Sequence, residues 1–443
     1  MKLNAPYLYV FLAFGLMCSG CQEEEDVVKI NDQDLLDGLI ANGVDSNGDN
    51  AISTNEAEAV TYLNLKYRSI ASPTGLEAFV NLRELWIEGN SLQGMNLRDL
   101  HALEFINCAD NQLNSLDISS NTELSEFYCS RNELRTLDVS SCTQLRILEC
   151  EGNELELLEV SNNPELEVLK CSSNEIRVLD LSHNPNLLEL DCGWQPLEDL
   201  NIQACSRLIS LDCKIGELSS LDVSNNPELK TLICRQNQLS NLEISNNTKL
   251  SSLSCWENQL TELDASNNPD MEYIDCGWNQ LEILDISECN EMYSLYCWHN
   301  KLTKLDISNN YKLEWITCSE NQLTELDASR NPHLKQLVCD NNQLTSLNVN
   351  NSHSLHVLAC ESNQLANLDL STNTDLWGLW LGYNQITHLD ISSNTSLVHL
   401  YLEGMPGLEE VCVWTLPFPE EPYGVNVDTT GSPNIYFTMD CRQ

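Results

Sequence analysis

A chain of 443 residues outgrows a single hydrophobic core, which stops growing at about 250 to 300 residues, so it needs several domains or a repeating array. Its 67 acidic against 22 basic residues give a formal net charge of -45. That balance excludes nucleic acid and anionic membrane surfaces, both of which need clustered Lys and Arg, and it suits cations or cationic partners.

Lys2 precedes an apolar run from Tyr7 to Met17, followed by the small-residue stretch Cys18-Ser19-Gly20-Cys21. The run is too short to span a bilayer and has the layout of a secretory signal. Small residues before Cys21 resemble the lipobox of bacterial lipoproteins, with Cys18 standing where that pattern usually has Leu. The run Gln22-Glu23-Glu24-Glu25-Asp26 is similar to the acidic export signal of Bacteroidetes-type lipoproteins. The resemblance implies acylation of Cys21 and a place at the bacterial cell surface as an outer-membrane lipoprotein. Residues 1–20 are then the signal and 21–30 an acidic tether; a cleaved signal with a solvated linker is the alternative reading.

Residues 31–62 read as a small helical cap. Asn31 is placed to cap a helix carrying Leu35, Leu36, Leu39 and Ile40, and Thr54 to Tyr62 to form a second helix. Between them, the twelve residues from Asp45 to Glu56 have EF-hand spacing. Calcium takes six to eight hard oxygens, which Asp45, Asn47, Asp49, the Ala51 carbonyl, Ser53 and a bidentate Glu56 would supply. Asn50 holds the position where that loop usually has Gly, and Asn tolerates left-handed backbone well. The other reading is a metal-free cap resembling the truncated EF-hand caps of internalin-type proteins.

From Cys108 to Cys360, cysteines recur at intervals of 21 residues, with Leu381 and Leu402 continuing the register. Around them runs L-x-x-L-x-C-x-x-N-x-L, as in Leu166 to Ile176, followed by x-x-L-D-x-S-x-N, as in Arg177 to Asn184. The first half resembles the leucine-rich-repeat signature and the nested whole resembles its IRREKO class, over residues 63–410. The resemblance implies a right-handed leucine-rich-repeat solenoid, mostly β within the α/β-superhelix class. A parallel sheet would line its concave face. About ten residues remain for the return, too few for a full helix, so short extended or 3₁₀ segments are expected on the convex side.

Three columns of the repeat have structural readings. The inward cysteines are small core hydrophobes, exchangeable with Leu, and Cys142, Cys205 and Cys289 replace the Asn of the S-x-N turn as weak donors. The Asn column from Asn90 to Asn384 should satisfy turn backbone in adjacent rungs. An acidic column, Asp117, Asp138, Glu159, Asp180 and onward to Asp390, should accept local backbone N–H bonds, with a calcium stripe as the alternative.

Outward positions carry Trp256, Tyr273, Trp278, Tyr296, Trp298 and Trp315 within four consecutive rungs. So large an exposed aromatic patch marks a binding surface, rimmed by Glu257, Asp275 and Glu320. The expected ligand is a protein or peptide, with a glycan as the alternative because indole and phenol planes stack on sugar rings. The sequence shows no nucleophile elbow, zinc motif or phosphate loop, so no enzyme is expected. Residues 411–443 should cap the last rung, joined by a Cys412–Cys441 disulfide because both cysteines stand outside the ladder. Trp377, Trp380, Tyr383 and Tyr401 are expected to pack beneath that cap. A monomer is expected, with calcium as its cofactor and membrane contact through the lipid anchor alone.

Overall fold

The computed structural model describes residues 26–419 and 424–441. The signal segment, Cys21 and the first half of the tether lie outside these residues. No helix among the described residues is long and apolar enough to cross a membrane.

Strands of three residues dominate because each rung offers only one inward side chain between two outward ones. Eighteen of them pair in parallel as one sheet, from Tyr62–Asn64 to Asn426–Asp428. The register never slips: Leu211, Leu232, Leu253 and Ile274 lie side by side, since a one-residue slip would turn the leucines to solvent. At about 4.8 Å per strand the sheet runs roughly 80 Å.

The second half of the repeat forms short parallel strands in places, such as Val178–Asp180 with Asp199–Asn201 and Glu262–Asp264 with Ile283–Asp285. Elsewhere it is tight turn. Among the described residues 3₁₀ structure is confined to Leu76–Ala78, less than expected. Asparagine explains the difference, because it holds the return as turns.

Two asparagine ladders clamp each rung to its neighbour. In the first, Asn132 Nδ2 donates to the carbonyls of Cys108 and Cys129, at 3.1 and 3.0 Å, and its Oδ1 accepts the Leu113 N–H at 2.9 Å. In the second, Asn184 Nδ2 donates to the carbonyls of Val160 and Asn163, while its buried Oδ1 has no donor. Only the donor is used, so a group without an acceptor fits as well. Cys142 and Cys205 direct their thiols at the equivalent pairs of carbonyls, Cys289 bonds the Ala265 carbonyl, and Ser352 does the same job with a hydroxyl. The thirteen ladder cysteines and these three are all buried and free, as small core side chains should be. Burial pushes the Cys108, Cys171 and Cys318 thiols up to about 12.

The acidic column is explained by its own turns. Asp138, Asp222, Asp264 and Asp306 each accept the N–H of the serine two residues on, at 2.8 to 3.0 Å.

Both ends depart from expectation. The first helix, Gln33–Ala41, is capped by Asp32 rather than Asn31. Asp32 also accepts the Ala71 and Ser72 N–H groups, which ties the cap to the first rungs. The second helix stops at Glu58, because Tyr62–Asn64 is already the first strand. The tether is shorter than predicted: Val28 bonds the Ile52 carbonyl, and Val28 and Ile30 pack against the core. At the far end the ladder continues past Leu402, with Asn426 opposite His399 and Tyr436 opposite Glu410. Cys412 and Cys441 are disulfide-bonded, with Cα atoms 5.5 Å apart. Phe418 packs against Trp414 and Phe437 over the last rung.

Candidate functional site

In each of these rungs the strand is followed by the ladder cysteine, one further outward residue, and then a residue with positive φ just before the ladder Asn. Trp278 occupies that left-handed position, at φ 48°, where a bulky side chain is an outlier. The flanking Asn clamps impose the turn, and the strain projects the indole 45% exposed from the sheet edge.

Of the six sequence-predicted aromatics, Tyr273, Tyr296 and Trp315 are outward strand residues of the long sheet and Trp256, Trp278 and Trp298 follow the ladder cysteines at its edge; together they form three contacts rather than one continuous layer. Tyr273 and Tyr296 tilt together at 5.8 Å. Trp278 meets Trp298 edge-to-face at 5.7 Å and stacks on His299 at 3.8 Å. Trp315 meets Tyr293 edge-on at 6.2 Å. Trp256 stands apart from these rings and lies under the Arg235 guanidinium at 5.4 Å. Gly277 is needed between Trp256 and Trp298, since a Cβ there would sit 2.6 Å from the Trp298 ring nitrogen.

The rim carboxylates divide. Glu320 accepts from or pairs with His299 Nδ1 at 2.8 Å, and Glu257 accepts from Gln236 at 2.9 Å. Asp275 sits half-buried between the rings, and burial holds its carboxyl above the usual carboxylate range. The neighbouring Tyr273 hydroxyl is pushed up to about 12, first by burial and then by the Asp275 charge.

One further aromatic group escaped the sequence reading, and a second was expected in another role. At the N-terminal end Trp86, Phe105 and Tyr128 tilt in series, at 4.2 and 5.4 Å. The Lys66 ammonium lies 3.7 Å over Trp86 and pairs with Glu88 at 2.8 Å. At the C-terminal end Trp380 stacks on Tyr401 at 5.6 Å and 7°. Trp377 and His399 complete that group. Trp380 and Tyr401 are strand residues on the sheet face; Tyr401 meets the C-terminal segment as expected, through Asn426, whereas Trp380 stacks on Tyr401 instead. Tyr383 projects 56% exposed, against Gly404. The 21-residue columns carried the signal: Trp86, Tyr128, Tyr296, Trp380 and Tyr401 all hold the third strand position.

The loop from Asp45 to Glu56 is closed by its own hydrogen bonds. Asp45 accepts from the N–H groups of Gly48, Asp49 and Asn50, Asn47 from Asp49, and Asp49 from Ala51. Glu56 gives one oxygen to Ser46 and Asn47 and the other to Ser53, and these bonds hold its carboxyl down at about 2. Ser53 serves as the N-cap of the second helix. The oxygens of Asp45, Asn47 and Asp49 suit a hard cation, whereas Ser53 and Glu56 face each other in a capping box rather than opening as ligands. Among the described residues, the acidic and thiol group whose ligand atoms converge within 4.8 Å is Asp390, Cys412 and Cys441, and there the disulfide takes both sulfurs.

No family model matches the sequence, and no curated protein matches it. Solved structures do. The functional domain of InlJ from Listeria monocytogenes, described as including a cysteine ladder, is similar with a TM-score of 0.64 and 29% identity, over 85% of this chain and 74% of that one. YopM from Yersinia enterocolitica WA-314 gives a TM-score of 0.62 at 22% identity, covering 86% and 92%. An internalin, inlF from Listeria monocytogenes, gives 0.56 at 20%, covering 78% and 94%. The architecture is that of a leucine-rich-repeat solenoid, and the parallel sheet with its 21-residue period follows the neighbours in kind.

Proposed function

We propose that this chain is a cell-surface binding protein that recognises a protein or peptide through the outward face of its long sheet. The observation that carries this reading is the row of aromatics from Trp256 to Trp315, displayed on a rigid, unbroken parallel sheet. Trp278 projects there at a strained backbone position. A face that only had to remain in water would not keep such rings. The fold shared with InlJ supports a recognition role. Independent outward side chains on a long scaffold make a large interface possible, of the size specific complexes need. Catalysis has no part in the proposal.

The surface anchor belongs to the same proposal and rests on the sequence around Cys21. Replacing Cys21 by Ala should release the protein from membranes; unchanged fractionation would end that part. Calcium also enters as a proposal, on the oxygens of Asp45, Asn47 and Asp49. A melt in calcium against one in chelator reads it through the cap.

The binding test is a comparison of wild type with Trp256→Ala/Trp298→Ala, each as the chain following Cys21. A protein or peptide partner retained by wild type and lost by the variant, with melting unchanged, is the expected result. Retention by a glycan array, with no peptide or protein retained, would replace the reading by carbohydrate recognition.

A further inference from the structure

Between the central aromatics and those of the C-terminal end the sheet face is low. Trp315, Gln336, Val357 and Gly378 lie side by side in one outward column, with Val338 and Ala359 in the column next to it. Gly378 decides where the far wall stands. A Cβ there would meet Cζ3 and Cη2 of Trp380 at 2.5 and 2.7 Å, so the indole swings back along its own strand into the column of Trp315. Tyr401 stacks on its C-terminal side, 5.6 Å away and 7° from parallel, and its other face looks over Val357 and Ala359. Trp315 and Trp380 therefore wall a trough that crosses the sheet, floored by Gln336, Val338, Val357 and Ala359, all partly exposed.

The dimensions select what fits. Three rungs span about 14 Å, and the contact radii of two rings take about 3.5 Å of that, which leaves roughly 11 Å. An α-helix with its side chains is about 10 to 12 Å across, whereas a single extended strand fills about 5 Å. Each rung crosses the trough from Lys335 to Asp340 or from His356 to Glu361, about 17 Å at strand rise, the length of about three helical turns. The two ends differ in charge. At one, Lys335 bonds Glu314 at 2.6 Å and lies 5.0 Å over Trp315, with His356 in the next rung. At the other, Asp340 accepts the Glu361 N–H at 2.8 Å, and burial lifts both carboxyls. A helix N-terminus is the positive end of its dipole, so it belongs over Asp340 and Glu361, with the helix antiparallel to the strands. Basic flanks complete the match, since from Gln336 to Cys441 the chain has twelve Asp and Glu and no Lys or Arg.

We propose that this trough docks an amphipathic helix of about three turns from a partner protein, apolar where it meets Val357 and Ala359 and rich in Lys or Arg on its flanks. It is a second docking place, beyond the central aromatic patch and independent of it.

The test uses the full chain following Cys21 with ¹⁵N-labelled indoles, at physiological salt to screen non-specific attraction. Nine tryptophans give nine indole signals, and those of Trp315 and Trp380 are identified by their loss in Trp315→Phe and Trp380→Phe. The probe is a peptide of Leu, Ala and Lys, about fourteen residues long, with its leucines at helical spacing. The control has the same composition with leucines at alternate positions. The helical peptide should move both signals saturably and gain helix by circular dichroism, while the control responds at least ten-fold more weakly. Ala359→Trp, which fills the floor, and Val357→Lys, which sets a like charge on it, should each weaken the response at least ten-fold with melting unchanged. Asp340→Asn/Glu361→Gln should weaken it about three-fold or more and Asp375→Asn should not; an equal loss in Asp375→Asn overturns the polarity assigned to the helix. Equal or stronger binding of the alternating peptide makes the occupant an extended segment and overturns the proposal. So does full response in both floor variants. Signals that move with protein concentration before any peptide is added make the occupant a second copy, which also overturns it. Trp256→Ala/Trp298→Ala separates the two docking places: capture at the central patch should be lost with this titration intact, and a titration lost in that variant ends the proposal.

Discussion

Two rows of carboxylates run along the same solenoid and behave in opposite ways. On the convex flank, Asp117, Asp138, Asp222 and Asp264 are exposed, and hydrogen bonds from the following serine hold their carboxyls below the usual range, Asp117 at about 2. On the outward sheet face, Asp191, Asp275, Asp340 and Glu361 are half-buried, and burial lifts theirs. The first row serves the turn it sits in. The second also accepts backbone N–H groups, Asp191 from Gly193, Asp275 from Gly277 and Asp340 from Glu361, but burial outweighs those bonds, so its charges are held at a cost the first row does not bear.

The sharpest way to break this contrast is to put a carboxylate in a third environment. Cys234→Asp sets a charge among fully buried leucines with neither donor nor water, and should cost about 4 kcal/mol or more, lowering the denaturation midpoint across neighbouring rungs. Removing a flank carboxylate should cost far less. Asp264→Ala frees the Ser266 N–H to water and should lose about 0.5 to 1 kcal/mol by chemical denaturation. On the sheet face the sign reverses: Asp275→Asn and Asp340→Asn should leave stability unchanged or raise it by a few tenths of a kcal/mol, roughly the scale of surface changes.

Acid titration reads both rows together. Depressed flank carboxyls contribute stability that is complete above their ordinary value of 3.8 and lost as pH falls toward about 2. Raised face carboxyls favour their protonated form in the fold, so their penalty is present at neutral pH and is relieved on acidification. Melting temperature should therefore rise from pH 7 toward the carboxylate range and fall below it. Asp275→Asn/Asp340→Asn should flatten the rise and leave the fall; a monotonic decline in wild type would refute the contrast. The smallest thermal effect belongs to Trp298→Ala, expected within about 0.5 kcal/mol of wild type, since its loss should register in binding.

The repeat made most of the fold legible before any coordinates. Cysteines at intervals of 21 residues fixed the strand, its inward residue and the register, because only stacked rungs bury such a column. Cys142, Cys205 and Cys289 were also readable, since their position in the S-x-N turn needs just a donor. What escaped was non-periodic. Nothing in the spacing shows that Glu56 turns back to Ser46 and Ser53, or that Asp32 rather than Asn31 caps the first helix, since both depend on which N–H groups lie nearby in space. At the site, the central aromatics were found by density in sequence. Trp86 with Lys66, and the stack of Trp380 on Tyr401, were missed because their members are brought together across rungs.

The buried thiols have a consequence for how the molecule can be observed. Sulfur reacts as thiolate, and a thiol held near 12 is thiolate in only about one molecule in 10⁵ at neutral pH. Labelling of any ladder cysteine thus reports the moment its rung opens. Because the column recurs once per rung from Cys108 to Cys360, the chain carries a ruler of native reporters. Mass spectrometry of timed alkylation would give an opening rate for every step, and so show from which end the array comes apart.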